Sequence, residues 1–458
     1  MLDDTFYLQN ASWISSGGPI SWLWSYKDLD VFQAYSSLTL PASEVVVAVI
    51  DTGVDYDHED LAGRLWVNAG ESDAAKYNNG VDDDGDGFVD DFLGWDFANH
   101  VNNPIDDAGH GTHVAGTIAA TGGNGRGIVG VAPWVRIMSL KVCDSAGECE
   151  SGDIRAAMSY AVEHGAKVIN LSLGAFDTGS DALAFEQAVR EATEAGSLVV
   201  AAAGNSSIDA SNMTPASATY AVAVAAHRND GQKCSWTDNG FKIDLSAPGC
   251  GFDGDVEVSG ILSLNSHKCG FSFNQPCQTR KTVGGGAYAL KAGTSMSTPH
   301  VSGMAAVAWT ASPDATPLQI RQALLQTARK AAPGNVNATF GMGRVYGANL
   351  VQEARTAPGV KIVSPRYGST SDTHDLGIRI EARDRAVSWT LRYVAYSGAP
   401  DVDLSSGTTI DSGSQSVGVG EYVTLSRTWS PPAPGEYLVV LEADAAGEKY
   451  YDVTLLNR

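Results

Sequence analysis

Five short apolar runs, residues 45–50, 137–142, 168–173, 198–203 and 221–226, alternate with stretches of helical periodicity, and this alternation limits the fold more than any other feature. A strand covered on both faces reads as a continuous apolar run, and such strands belong to parallel sheets with helices on either side. Residues 154–164, followed by Gly165, and residues 181–195, preceded by Ser180 as the expected cap and followed by Gly196, carry helix start and stop signals. Thr316-Pro317-Leu318-Gln319 adds a capping box with proline at the first helical position. The predicted fold class is α/β, a doubly wound, mostly parallel sheet flanked by helices, with its sites at the carboxyl ends of the strands.

The pattern changes near Thr356. Residues 387–394, 422–429 and 437–443 alternate as strands without helices between them, separated by turn residues such as Pro431-Pro432-Ala433-Pro434-Gly435. About a hundred residues of this kind predict a small all-β sandwich, immunoglobulin- or fibronectin-like. The chain then divides into an aromatic-rich N-terminal segment, 1–43, packing on an α/β unit, 44–355, followed by the sandwich, 356–458.

Charge narrows the function. The 458 residues carry 53 acidic and 30 basic side chains, a net charge of −23, which argues against a nucleic-acid partner. No window approaches eighteen consecutive apolar residues, so no membrane span is expected. Residues 1–26 lack a basic and then apolar leader pattern, so the chain as it stands reads as having no signal peptide. Sixteen acids fall between Asp51 and Asp107 against only Arg64 and Lys76, which places −14 of the −23 in that stretch. The excess is local rather than a salt-adapted surface, and it points to a metal.

Within that stretch, Asp82, Asp84, Asp86 and Asp90 stand at the first, third, fifth and ninth positions of an EF-hand-like loop. Gly87 falls at the sixth, where the turn is sharp, and Phe88 at the seventh, where a carbonyl ligates. The closing glutamate is missing, position twelve being Leu93, and Asp91 is the expected substitute. Carboxylates this crowded repel one another unless a hard cation neutralises them, and calcium is the expected ion. Cys143, Cys149, Cys234, Cys250, Cys269 and Cys277 form an even set without a zinc-type pair. Local bridges 143–149 and 269–277 are suggested by the short gaps, while the full pairing stays open.

Three polar segments interrupt the strand pattern: Val47-Ala48-Val49-Ile50-Asp51-Thr52-Gly53, Asp107-Ala108-Gly109-His110-Gly111-Thr112-His113, and Gly293-Thr294-Ser295-Met296-Ser297-Thr298-Pro299-His300. A serine hydroxyl is a poor nucleophile until an imidazole removes its proton, and that imidazole needs a carboxylate to fix its tautomer and stabilise its charge. Asp, His and Ser in this chain order match one known arrangement of that triad. Glycines 109, 111 and 293 are expected to let backbone approach the site closely.

These segments resemble the three signature blocks of the subtilisin-like serine proteases, or subtilases, over roughly residues 40–355, and Val199-Val200-Ala201-Ala202-Ala203-Gly204-Asn205-Ser206 resembles a fourth. The resemblance implies Asp51, His110 and Ser295 as the triad, with the Asn205 amide and the Ser295 backbone N–H as oxyanion donors. It implies that Ser172, Leu173 and Gly174 pair with extended substrate backbone, with Glu148 facing them from the loop 143–149. Ala203 and Gly204 would line a primary pocket suited to a sizeable apolar side chain, while Asp209, nearby in sequence, leaves a basic preference open. A second calcium site is implied at Gln9, Asp60 and Asn124. The family also implies a secreted monomer acting on protein or peptide substrates, and an N-terminal prosegment that aids folding and inhibits. The chain reads as lacking that prosegment and is expected to refold poorly alone. A sedolisin-type acid protease would lack His110, an α/β-hydrolase would need G-x-S-x-G where Ser297 stands, and an adhesive protein built on the sandwich would not need four intact blocks.

Overall fold

Seven parallel strands form the central sheet in the order β2-β3-β1-β4-β5-β6-β7. They are β1 (Val46–Asp51), β2 (Gly94–Asp96), β3 (Arg136–Lys141), β4 (Val168–Leu171), β5 (Leu198–Ala202), β6 (Val222–Arg228) and β7 (Leu245–Cys250). The structure is a computed structural model that describes residues 24–39, 44–177, 179–251, 260–268, 281–283, 287–330, 335–383, 387–415 and 422–458. Five of the strands are the five predicted runs. The short β2 and the Pro248-Gly249-bearing β7 carry no apolar run long enough to announce them.

Strand alternation sorts the core into two layers. Val47, Val49, Ile137, Val168, Leu198, Val200, Val222 and Val224 face one cluster, and Ala48, Ile50, Met138, Leu140, Ile169, Leu171, Val199, Ala201 and Ala223 face the other. On the first side lie α1 (Trp24–Leu29), α2 (Val31–Ser36), α3 (His110–Ala119) and the long, almost wholly buried α6 (Thr294–Ala311). On the second lie α4 (Ser151–Glu163) and α5 (Ser180–Glu194). Gly179 caps α5 with positive φ and Ser180 is its first residue, so the expected serine cap is displaced by one. The capping box of α7 (Pro317–Thr327) forms in full, with Thr316 and Gln319 each closing on the other's backbone. Among the described residues, no helix is long and apolar enough to cross a membrane.

Beyond α8 (Leu350–Thr356) the chain forms two antiparallel sheets, one of strands Gly359–Ser364, His374–Glu381 and Tyr422–Trp429, the other of Thr408–Gln415, Val387–Ala395, Glu436–Ala445 and Glu448–Asn457. Val360, Ile378, Leu391 and Leu441 of these sheets belong to the same apolar cluster as Val301 and Leu324 of the helices, so burial is continuous from one part to the other. Disulfides join Cys143 to Cys149 and Cys234 to Cys250. Cys269 and Cys277 lie outside the described residues.

Candidate active site

Asp51 is the last residue of β1, His110 the first of α3, Asn205 follows the end of β5 by three residues, and Ser295 sits in the first turn of α6. The order of strands in the sheet brings these four ends to one cleft of about 630 Å³. His110 Nδ1 lies 2.7 Å from Asp51 Oδ1, which also accepts from the Thr52 amide at 2.8 Å. Asp51 is 1% exposed, so its bond to the ring is shielded from water. The Ser295 hydroxyl donates to the Ser172 carbonyl oxygen at 2.8 Å. Ser295 holds its place through Pro299, which has no N–H for the carbonyl four residues back. The Ser295 carbonyl accepts instead from the Ser172 hydroxyl, at 2.9 Å. Asn205 Oδ1 accepts from both the backbone N–H and the hydroxyl of Thr294, at 2.9 and 3.0 Å. The amide NH2 therefore points the other way, and the Ser295 N–H is one of the open donors of a helix N-terminus.

Sequence reasoning did not single out the residue that aims His110. Asp106, 0% exposed, accepts from the Ala108 and Gly109 amides and the Thr52 hydroxyl on one oxygen and from the Thr112 amide and hydroxyl on the other. It lies three residues before Gly109, the N-cap of α3, outside the spacing at which a capping side chain is sought. Lys291 Nζ donates to the Gly109 carbonyl at 2.7 Å; burial pulls this amine down to about 8, with Asp106 and Asp51 opposing the shift. Gly111 is needed for its lack of a side chain, since a Cβ there would come within 2.0 Å of the Gly53 carbonyl oxygen. Gly293 differs from expectation: its φ of 160° is extended and a Cβ would meet nothing nearer than 3.6 Å.

Ser172, Leu173 and Gly174 continue β4 past its last sheet partner and line one side of the cleft; Glu148 lines the other, on the loop closed by Cys143–Cys149. Gly204 lines the cleft, but Ala203 does not. Ala202, the last residue of β5, and Gly204 line the cleft, while Ala203 between them joins a small cluster with Ala210, Ala225 and Ile243. The facing wall is a two-residue ribbon, Ala175–Phe176 paired with Met213–Thr214, continued by Pro215. Asp209 is not a lining residue; its carboxylate accepts from the Ser211 amide and caps the turn that leads into this wall.

The acidic loop does not close around one centre as an EF-hand would. Asp82 turns to the Gly85 and Gly87 amides of its own loop, and Asp90 to the amides of Asn79 and Gly80. Asp86 accepts from Phe88 N and faces His164 Nε2 at 3.0 Å, while the Phe88 ring packs on Trp95, Phe97 and Tyr160. Asp84 belongs to two groups, one with Asp86 and His164 and one with Glu71 and Asp91, the candidate ligand atoms of each lying within 4.8 Å of one another. Asn68 donates to Asp84 and Asp91, and Tyr160 also donates to Asp91. Burial pushes Asp91 up to about 6, against the pull of these donors, and Asp86 also rises to about 6 chiefly by desolvation. Glu71, Asn68 and His164 were beyond a local motif because they reach the loop from distant segments. At the second predicted site, Asn124 Nδ2 donates to Asp60 Oδ1 at 2.7 Å, and Asp60 Oδ2 accepts from the Ile128 amide at 3.0 Å. Gln9 lies outside the described residues.

Comparison with known proteins agrees with this geometry. The model of the subtilase family, Peptidase_S8, matches residues 42–343. A thermophilic serine proteinase of Bacillus sp. (strain AK1) is 34% identical over 346 residues, covering 75% of this chain and 71% of the relative. Thermitase of Thermoactinomyces vulgaris is 35% identical over 306 residues, 67% of this chain and 88% of that protein. An extracellular protease of Xanthomonas campestris is 35% identical over 69% of this chain and 52% of its own. Among solved structures, a protease from Pseudoalteromonas arctica PAMC 21717 superposes with a TM-score of 0.57 at 28% identity, covering 73% of this chain and 97% of that one. The chain belongs to the subtilase family and is a subtilisin-like serine protease.

Proposed function

We propose that the chain is a secreted, calcium-stabilised endopeptidase that cleaves peptide bonds through an acyl-enzyme. The observation that carries this reading is the convergence of the bonded Asp51–His110 pair, Ser295 and Asn205 on one cleft. In this mechanism the Ser295 hydroxyl turns from the Ser172 carbonyl to His110 Nε2, gives up its proton and attacks the scissile carbonyl. His110 then passes that proton to the leaving amine, while Asp51 holds the imidazolium. The Asn205 amide and the Ser295 N–H carry the oxyanion. The free main chain of Ser172–Gly174 would bind substrate as an added strand, which suits broad specificity. The cleft wall of Phe176, Met213 and Pro215 favours an apolar side chain before the scissile bond, and the placement of Asp209 outside the lining gives a basic preference no support. The folding role of a prosegment, the monomeric state and secretion belong to the same reading. The test is reaction with a sulfonyl fluoride followed by peptide mapping: label should sit on Ser295, and label elsewhere on a folded protein would sink the mechanism.

For calcium, the residues present fit a hard cation. Glu71 is 0% exposed, and its Oε2 has no hydrogen-bond partner while facing Asp84 and Asp91. An unpartnered carboxylate oxygen buried among carboxylates is costly unless a cation neutralises it. Glu71, Asp84 and Asp91 would hold the ion, which supplies charge neutralisation and no chemical step. Asp60 and Asn124 would be the described members of a second site. Removing calcium with a chelator should lower the melting temperature by several degrees, from a linkage term of about 3 kcal/mol at calcium one hundredfold above its Kd. An unchanged melt in excess chelator refutes a stabilising ion, and Glu71→Gln should reduce the chelator's effect to what the Asp60 site contributes.

A further inference from the structure

The wall of Ala175–Phe176 and Met213–Thr214 is two residues deep on each strand. A ribbon that short does not hold its shape by its own hydrogen bonds. It is extended slightly by Asp177 N donating to the Asn212 carbonyl and Ser217 N to the Met213 carbonyl, at 2.8 and 2.7 Å. Its inner face lines the cleft and its outer side meets the C-terminal sandwich. There Arg366 Nη2 donates to Asp177 Oδ2 at 2.9 Å and to the Ser217 hydroxyl at 3.0 Å. Asp177 continues one strand of the ribbon and Ser217 follows the other, so a single guanidinium nitrogen ties the two together from behind.

Arg366 is itself anchored. Its carbonyl accepts from the Ser369 hydroxyl, the next turn is fixed by Gly368 N to the Leu455 carbonyl at 2.7 Å, and Asn457 N donates to the Ser369 carbonyl at 2.9 Å. The turn is thus pinned to the last strand of the sandwich. Tyr367 packs its ring on the same apolar core. Arg366 and Asp177 are each about one-quarter exposed, so their attraction is partly screened by water. The geometric tie, through a planar donor with two acceptors, matters more here than the charge alone.

We propose that Arg366 is a positioning residue for substrate specificity: through Asp177 and Ser217 it sets the wall of the primary pocket, and the sandwich thereby tunes which peptides bind well. This rests on reading the cleft as the peptide site. In the full-length protein, Arg366→Ala should raise KM about three- to tenfold for peptide anilides with a large apolar residue before the scissile bond, the scale of one lost charge-assisted hydrogen bond. Their kcat should stay within about twofold, because nothing that Arg366 touches acts on the reacting atoms. The rate at which a small sulfonyl fluoride labels Ser295 should not change, since that reagent does not fill the pocket. Arg366→Lys should restore part of the KM. Asp177→Asn, which keeps shape and removes charge, should reproduce the effect and leave Arg366→Ala little to add; it also reads the contact if Arg366→Ala does not fold. An unchanged KM, or a joint fall of kcat and labelling rate, overturns the proposal. Failure of the unsubstituted protein to take label at Ser295 would overturn the cleft reading itself, a result distinct from either.

Discussion

Ser295→Ala and His110→Ala should each lower kcat by about six orders of magnitude, and the double variant should lose almost nothing more. The two side chains act as one device, because the hydroxyl has no nucleophilicity without the ring and the ring has nothing to activate without the hydroxyl. Asp51→Asn should cost less, about four orders of magnitude, by favouring the wrong imidazole tautomer while leaving the 2.7 Å contact geometrically intact. Asn205→Ala should lower kcat about a hundred- to a thousandfold with little change in KM, since its amide meets the oxygen only as charge develops on it. Thr294 gives this prediction its structural basis: by holding Asn205 Oδ1 with two donors it pre-sets the NH2, so no binding energy is spent on orientation. Steady-state kinetics on a peptide anilide reads all five variants. Strictly additive losses for Ser295 and His110 would show that they do not work as a unit.

The second large effect concerns stability. Arg321 of α7 donates through Nη2 to Asp244, just before β7, at 2.5 Å, and to Asp452 of the sandwich at 2.8 Å. Lys361, also of the sandwich, bonds both oxygens of Asp452 at 3.1 and 3.3 Å, and Lys242 lies 3.6 Å from Asp244. All five side chains are at least nine-tenths buried. Arg321→Met would take from Asp244 and Asp452 the buried donor they share, leaving each carboxylate to a single lysine, at a cost of about 3–5 kcal/mol. In a Ser295→Ala background, which prevents self-digestion, the variant should melt well below its parent. Arg321→Met combined with Asp452→Leu should cost less than the sum of the two, because both changes break the same Arg321–Asp452 bond. A melt within a degree of the parent for Arg321→Met would show that the network does not hold the two parts together.

The same network sets a pH dependence. Burial by itself would raise Asp244, but the charges of Arg321, Lys242 and Lys361 outweigh it and hold the carboxyl down to about 2, below its usual 3.8. A carboxyl depressed in the folded state stabilises it above the unfolded value, and that stability is lost as pH falls toward the folded one. Unfolding in acid should therefore steepen between about pH 4 and 2, and Asp244→Asn should flatten that limb. Scanning calorimetry across this window checks it.

The parts of the site that lie within a few residues of one another were legible in the chain. Asp51 at a strand end, His110 at a helix start among glycines, and Ser295 before an apolar helix announce themselves because local backbone geometry and catalytic role coincide there. The five buried strands were legible for a similar reason, since burial on both faces demands uninterrupted apolar residues. Errors came where a local rule met a tertiary choice. Ser180 looked like a cap, yet Gly179 takes that place because its backbone is free to adopt positive φ. Ala203 looked like pocket lining, yet past the end of β5 it is buried against Ala210, Ala225 and Ile243.

The acidic loop shows the boundary most clearly. Its phasing points to a ring of Asp82, Asp84, Asp86 and Asp90, and the fold keeps Asp84 beside Asp86 while bringing in Glu71, Asp91 and His164. Asp82 and Asp90 satisfy backbone amides at short range, while Asp84 stands with Asp86 and His164 on one side and with Glu71 and Asp91 on the other. By itself the sequence determined the layer architecture, the family and the place where negative charge gathers, and it pointed to four candidate catalytic positions, because these follow from periodicity and from motifs that are local. Only the tertiary structure decided which carboxylates share a centre, that Asp106 aims His110, and that Arg366 and Arg321 bind the sandwich to the catalytic part. The Arg366 and Arg321 contacts join residues dozens to hundreds of positions apart, and the partner of a buried charge is set by where the chain returns, which no short window of sequence records.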